Sequence, residues 1–179
     1  MRHVVRSKNA DTIAAIRRYK PGDIEWCRAL WVELTEWHRQ IYQSPSIGGP
    51  DPGRHFDAHL SRVGPEHVWV AELDGRVVGM AGLIPGREEA ELEPLVVSES
   101  HRGLGIGRQL AEAVIKAARE GGVRQLKVRP VSRNETAIRF FHKLGFDILG
   151  QVELFMDLGP VGSREWRYEE RMAGRDFRV

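Results

Sequence analysis

The chain has few of the features that classify a protein quickly. It holds a single cysteine, Cys27, in 179 residues. One thiol excludes a disulfide framework and a cysteine-based metal site. Cys27 lies in an apolar-rich, helix-like stretch, so it reads as buried packing and not as a reactive group. No apolar run approaches the ~20 residues that a membrane helix needs, and no signal-peptide core opens the chain. These absences set the expectation of no membrane and a cytoplasmic location. Charge of one sign is also missing: 27 Lys and Arg stand against 25 Asp and Glu, for a net charge of +2. Without a long basic block interleaved with aromatics, nucleic acid is not an expected partner. His38 has no carboxylate or second histidine at helical ligand spacing, and His38 and His55 both read as solvated histidines, so no metal is expected either. Internal repeats and an interdomain linker are both absent.

What is present is concentrated between Leu92 and Leu110. An apolar strand signal, Leu95-Val96-Val97, passes through the polar turn Ser98 to His101 into Arg102-Gly103-Leu104-Gly105-Ile106-Gly107, and a helix pattern starts at once. Glycines let the backbone curl so that several N–H groups point into one concavity. The helix behind them adds unsatisfied N–H groups and the positive end of its dipole. Such a place suits a phosphate or pyrophosphate. A tight strand-to-helix turn with glycines used only for geometry would look the same in isolation. Two familiar phosphate loops are excluded. A Walker loop ends in Gly-Lys-Ser/Thr, and here Gly107 precedes Arg108-Gln109. The dinucleotide fingerprint needs its third glycine three residues after the second, a position that Arg108 holds.

A second segment, Asn134 to Phe146, supplies context. Asn134 is placed to cap a helix whose apolar stripe is Ala137, Phe140, Phe141 and Leu144, with Gly145 ending it. In this order and at this separation, the two segments resemble the GCN5-related N-acetyltransferase superfamily. The first is similar to that family's coenzyme A loop, Gln/Arg-x-x-Gly-x-Gly/Ala, through Arg102, Gly105 and Gly107. The second is similar to its Asn-x-x-Ala-x-x-Phe-Tyr-x-x-x-Gly-Phe helix, except that Phe141 stands where many members have Tyr. The motifs lie within residues 68 to 158.

The rest of the pattern predicts one α/β domain over residues 11–158, with a tail at 1–10 and an extension at 159–179. A strand is expected from Thr12 to Tyr19, and a helix from Pro21 to about Gln40 with Ile24, Cys27, Leu30, Trp31, Leu34 and Trp37 on its apolar stripe. A Pro/Gly-rich loop, Ser44 to Gly53, leads to a helix from Arg54 to Val63. Strands at 68–73 and 76–84 flank the hairpin turn Asp74-Gly75. The strand ending at Val97 is followed by a helix from Gly105 to Glu120, with Ile106, Leu110, Ala113, Val114 and Ala117 inward and Glu112–Lys116 paired outside. A strand at 125–131, the Asn134 helix and one or two strands at 146–158 complete the series. The tail aromatics Trp166, Tyr168 and Phe177 suggest docking over disorder. The resemblance implies a single domain with a mixed, mostly antiparallel sheet of six to seven strands, a splayed parallel pair and about four helices.

It also implies acetyl-CoA as the cofactor. The pantetheine arm would pair with the backbone of Leu95, Val96 and Val97 like an added strand, and the pyrophosphate would sit on Arg102, Gly103, Leu104, Gly105, Ile106 and Gly107, with Arg108 close by. Asn134 would reach the pantetheine arm, or act as a cap only. Lys143 would approach the 3′-phosphate, or be a solvated lysine. Phe141 falls where a tyrosine hydroxyl often meets the leaving sulfur and has no proton to give; Tyr42 and Ser132 are substitutes to consider, while His142 points elsewhere. Glu91 and Glu93, two apart on one strand, are candidate general bases, with Glu91 favoured and Pro94 positioned to shift the register. The alternative for both is an exposed glutamate on a polar face. The acceptor, a primary amine of a small molecule or peptide, would lie along Trp31 to Arg54 and Val152 to Leu158. Trp37 and Tyr42 are its candidate contacts, and Glu33, Glu36, His38 and Asp51 lie nearby, with Arg39 and Arg54 offsetting the acids. A homodimer is expected from the resemblance alone. Two other functions stay open: a non-catalytic acyl-CoA-binding module, and a nucleotide-binding domain with an unusual loop.

Overall fold

The protein is described by a computed structural model over residues 14–156, 158 and 169–178. The chain divides into two compact units, the first ending at Val128 and the second starting at Arg129. In the first, a five-stranded sheet has the order β1 (Ala15–Arg18), β2 (Val68–Leu73), β3 (Arg76–Ile84), β4 (Glu89–Val97), β5 (Gln125–Lys127). Neighbours are antiparallel except β4 and β5, which are parallel. Helices α1 (Ile24–Tyr42) and α2 (Arg54–Val63) precede β2, and α3 (Ile106–Glu120) crosses from β4 to β5. The α/β class, the mixed and mostly antiparallel sheet, its parallel pair and the four helices agree with the reading of the sequence. The seven strands among the described residues are split as five and two.

Local chemistry explains the first unit's joints. Asp74 (φ 49°) and Gly75 (φ 74°) both take the left-handed conformation that a two-residue hairpin turn needs between β2 and β3. Ahead of α1, Asp23 accepts from the Lys20 N–H at 2.7 Å and from both terminal nitrogens of Arg17 at 2.7 and 2.9 Å. The Arg17 guanidinium holds the buried Asp23 carboxyl below its ordinary range and ties β1 to the start of α1. Between α1 and α2, Arg28 makes a two-pronged contact with Asp57, 2.9 Å from Nε and 2.8 Å from Nη2.

The sheet has two covered faces. On one, Cys27 and Leu30 of α1 and Phe56 and Val63 of α2 pack with Val68, Val70, Met80 and Val96. Cys27 is wholly buried there, and burial pushes its thiol up to about 12. The other face receives α3, whose buried residues are Ile106, Leu110, Ala111, Val114 and Ala118. The inward face thus turns on Ala111 and Ala118, not on the expected Ala113 and Ala117. Glycine is required where α3 approaches: a Cβ on Gly79 would lie 3.0 Å from Leu110 Cδ1. Outside, Glu112 pairs backward with Arg108 at 2.7 Å, while Lys116 faces Glu120 at 3.9 Å, in place of the expected Glu112–Lys116 pair.

The second unit holds α4 (Glu135–Lys143) and a hairpin of β6 (Glu169–Met172) and β7 (Arg175–Arg178). Asn134 Oδ1 accepts from the Ala137 N–H at 3.1 Å, the expected cap. At the other end Gly145 (φ 96°) donates to His142 O at 3.0 Å, and Phe146 donates to Phe141 O at 3.1 Å. Phe141 and Phe146 meet edge to face at 5.6 Å, so the two hydrogen bonds and the apolar contact of a Schellman ending are all present. The strands expected at 146–158 do not form among the described residues of that stretch. Val152, Leu154, Met156 and Leu158 alternate as a strand would, but a strand exists through its ladder, and no ladder includes them. They are exposed instead. The expected strand at 125–131 stops at Lys127. Residues 1–13, and Trp166 and Tyr168 of the tail, lie outside the described residues; Phe177 lies in β7 opposite Glu170.

Candidate active site

The two halves of β4 differ in their neighbours. Glu89, Ala90 and Glu91 pair with Gln125, Leu126 and Lys127, where β5 ends. From Leu92 to Val97, only β3 pairs with β4 among the described residues. The Ser98 N–H donates to Val78 O at 2.8 Å, which sets the alternation of the antiparallel ladder. Val96 then bonds across to Met80, and Leu95 and Val97 turn their N–H and C=O groups to the open edge. Such an edge is what an amide-bearing arm needs for strand-like pairing.

An irregularity separates the halves. Ala81 pairs with Leu95 and Leu83 with Leu92, so Glu93 and Pro94 together stand against Gly82. A Cβ on Gly82 would lie 2.4 Å from Glu93 O and 3.0 Å from Pro94 Cδ, so only glycine fits. The shift near Pro94 that the sequence suggested is therefore present. It interrupts the period of two, and the shared face of Glu91 and Glu93 no longer follows from alternation. Glu91 pairs with Ile84, whose side chain packs on the α1/α2 layer, so Glu91 faces that layer. It is 5% exposed, not a solvated glutamate on a polar face; Glu93 is half-buried.

The glycine bend is built as expected. Gly103 (φ 78°) and Gly105 (φ 80°) are both left-handed. Arg102 closes a turn by donating its N–H to Glu99 O at 3.3 Å, and Gln109 makes the first helical bond of α3, to Gly105 O at 3.1 Å. Among the described residues, the N–H groups of Gly103, Leu104, Gly105, Ile106 and Gly107 have no acceptor. Buried Ile106 anchors the bend on the α3 face of the sheet. The concavity therefore presents a row of donors at the positive end of a 15-residue helix. Arg102 donates through Nε to Val97 O at 3.1 Å, and its guanidinium carbon lies 5.7 Å from the Trp37 ring centroid. Arg108 points along the outside of α3, its Nε donating to Glu112.

Helix α1 brings Trp37 beside this bend and carries Tyr42 in its last turn, both partly exposed. The loop after α1 is held by Arg39, which donates to Ile47 O at 2.9 Å and Gly49 O at 2.6 Å, and by the His55 ring at 3.1 Å from Gly48 O. Arg39 thus clamps its own loop and also pairs with Glu36 at 2.6 Å, while Arg54 pairs with Asp51 at 3.1 Å, so both arginines offset nearby acids as expected. In the second unit, Asn134 caps α4, half-buried Phe141 packs on Phe140 and Phe146, and Lys143 is exposed in the last turn.

The sequence placed Glu33 only among the acids near the amine and passed over His59. Glu33 of α1 accepts from Ser98 and Glu99 at the end of β4. His59 of α2 is 4% exposed, 5.3 Å from the Trp31 ring, and its Nε2 has no partner among the described residues. Arg62 lies 3.4 Å from His59 Nδ1; an arginine only donates, so Nε2 carries the imidazole proton. Nε2 sits 2.9 Å from the place of a Gly82 Cβ, beside the irregularity in β4. Burial, helped by the Arg62 charge, lowers the ring to about 4, so it is neutral at pH 7. Neither residue belongs to a motif; only tertiary contact reveals them. No cluster of metal-ligating side chains occurs among the described residues, and no helix there is long and apolar enough to cross a membrane.

An open-edged β4, a bend of free amides and a helix that starts inside the bend give this α/β fold a geometry suited to an anion at a strand end. A profile of the Acetyltransferase (GNAT) family matches residues 31–146, more than half of the chain, and the chain belongs to that family. It is similar to N-acetyltransferase 8 of Rattus norvegicus, 34% identical over 96 residues that make up 50% of this chain and 42% of that one. The chain spans less than half the length of the curated relatives it matches. Ard1 of Thermoplasma volcanium is 28% identical with a TM-score of 0.56, covering 76% of this chain and 84% of that chain. An aminoglycoside N-acetyltransferase in complex with CoA is 20% identical with a TM-score of 0.59, covering 82% and 96%.

Proposed function

We propose that the protein is an acetyl-CoA-dependent N-acetyltransferase acting on a primary amine of a small molecule or peptide. The observation that carries this reading is the set of free amides from Gly103 to Gly107 beside the open edge of Leu95 and Val97. Acetyl-CoA fits both parts: a diphosphate for the amides, and an arm with two amides for the edge. The assignment of Asn134, Phe141 and Lys143 to the same ligand rests on the motif resemblance, as does a homodimer. The free amine of a relative's substrate class, aminoglycosides, belongs among those to test.

The chemistry asks the chain for modest help. Acetyl-CoA supplies a thioester whose thiolate, with a pKa near ~8.5, leaves readily. An amine with a pKa near ~10.4 must lose a proton to attack. Glu91, a buried carboxylate facing the layer that holds Trp37 and Tyr42, takes that proton directly or through water, while Glu93 stands at the strand irregularity. As nitrogen bonds to the acyl carbon, the carbon–sulfur bond breaks and solvent protonates the thiolate. Phe141 has no hydroxyl for that last task, and this one residue favours the second reading, a module that binds acyl-CoA without turnover.

Melting shifts separate the ligands, because only a ligand of the native state stabilises it. CoA is expected to stabilise the protein more than ATP or NAD; the reverse order would return it to the nucleotide-binding class. Thiol release from acetyl-CoA is then followed with polyamines, aminoglycosides and peptides bearing free amino termini. CoA binding without release on any amine would select the non-catalytic module.

A further inference from the structure

The bend of free amides is held from outside by one helix. Glu33 of α1 accepts through Oε1 from Ser98 Oγ at 3.1 Å and through Oε2 from the Glu99 N–H at 2.9 Å. A single carboxylate therefore fixes the residue that follows β4 and the first residue of the turn beyond it. One helical turn later, Trp37 lies beside the guanidinium of Arg102, 5.7 Å from the ring centroid. The same guanidinium bonds to Val97 O. Both ends of the 98–102 turn are thus tied to α1.

Neither residue is explained by the core. Trp37 ends the apolar stripe of α1 but is 36% exposed, while Ile24, Cys27, Leu30, Trp31 and Leu34 pack inward. Glu33 is an anion set near amides suited to another anion. Coulomb's law alone argues against that placement, so its two hydrogen bonds must outweigh the repulsion. The bonds point along the helix at the loop and at no other element.

We propose that Glu33 and Trp37 are positioning residues of the cofactor loop, so that α1 sets the geometry in which the diphosphate is bound. This rests on reading the loop as the CoA site. It also moves Trp37 from a contact of the amine to a support of Arg102. Because α1 carries Tyr42 as well, an amine that presses on this helix would change cofactor affinity, and the cofactor would change amine affinity by the same factor.

The variants Glu33→Ala, Glu33→Gln, Ser98→Ala and Trp37→Phe test this, with KM for acetyl-CoA and for the amine measured separately and CoA affinity measured by calorimetry. Glu33→Ala is expected to weaken CoA about tenfold, the equivalent of about 1.4 kcal/mol. The amine KM should move far less. Glu33→Gln keeps an acceptor for the Glu99 N–H and removes the negative charge, so it should restore wild-type affinity or exceed it. Ser98→Ala removes one bond while leaving α1 intact, and should weaken CoA by less than Glu33→Ala even if the latter folds poorly. Tryptophan emission should change on CoA addition, and Trp37→Phe or Arg102→Gln should diminish that change. Tighter CoA binding by Glu33→Ala, or an emission change unaffected by Trp37→Phe, would overturn the inference while leaving the CoA site standing. If CoA fails to bind the wild-type protein, the reading of the loop falls first, and this one with it.

Discussion

From Glu89 to Glu91 strand β4 pairs with β5, and at Glu91 with β3 as well, whereas from Leu92 to Val97 only β3 pairs with it among the described residues. The first half spends its backbone groups on the sheet and offers a side chain, the buried Glu91. The second half offers its backbone, and its side chains go into packing, as Val96 does in the α1/α2 core. Between them, Gly82 gives way to Glu93 and Pro94. On the proposed reading, one strand supplies both a general base and a docking edge, with the irregularity resetting the ladder between them.

Four changes would break or sharpen this contrast. The largest effect is expected from Glu91→Gln in the paired half. Removing a general base costs roughly 10²–10⁴-fold in turnover near neutral pH. The loss should shrink as pH rises towards the amine's own ~10.4, where no base is needed. A rate ratio that stays flat with pH would make Glu91 structural. In the open half, Gly105→Asp sets a side chain on a left-handed residue and a charge against the diphosphate. CoA affinity measured by calorimetry should drop at least about 100-fold, the equivalent of about 2.7 kcal/mol; unchanged affinity in a folded variant would remove the loop from the site.

At the junction, His59 gives a pH signature. Its folded value of about 4 lies below the unfolded value near ~6.5, so the unfolded chain binds the proton more readily between them. The contribution of neutral His59 is complete above ~6.5 and fades as pH falls towards 4, by at most roughly 3 kcal/mol. Urea midpoints of wild type and His59→Asn across pH 4–7 isolate it: the two should diverge in slope, and parallel curves would contradict the assignment. The smallest effect is expected from Gly82→Ala. Forcing a methyl into this packed junction costs about 2 kcal/mol, read as a lower urea midpoint at unchanged slope.

The parts legible in the sequence were those whose cause is local. Asp74-Gly75 marked a hairpin because two adjacent residues must both be left-handed. The glycine bend and the Asn134 cap were legible for the same reason, and Gly145 marked the end of α4 through its own φ. Pairing was harder. Residues 146–158 carry a strand's alternation without a ladder, and 128–131 do not extend β5, because periodicity describes a face and not a neighbour. The inward face of α3 shifted by one or two residues because Ala is small enough to sit on either side of the boundary. Glu33 was legible only as an acid near the amine, and His59 not at all: the partner of the first is 65 residues away, and the neighbours of the second are brought in by the fold of β3 on β4. Trp37 fitted the core stripe by spacing, yet it is partly exposed beside the Arg102 guanidinium.

Cys27, the lone cysteine, lies on the buried face of α1 with a thiol that seldom ionises. An alkylating reagent reacts with thiolate, so it must wait for that layer to open. The rate of labelling is then a gauge of opening beneath α1, and any shift of that rate by CoA would report from the sheet's interior on events at its edge. A cysteine introduced on the surface would react long before the native one, so a single dye could be attached with no need to delete Cys27.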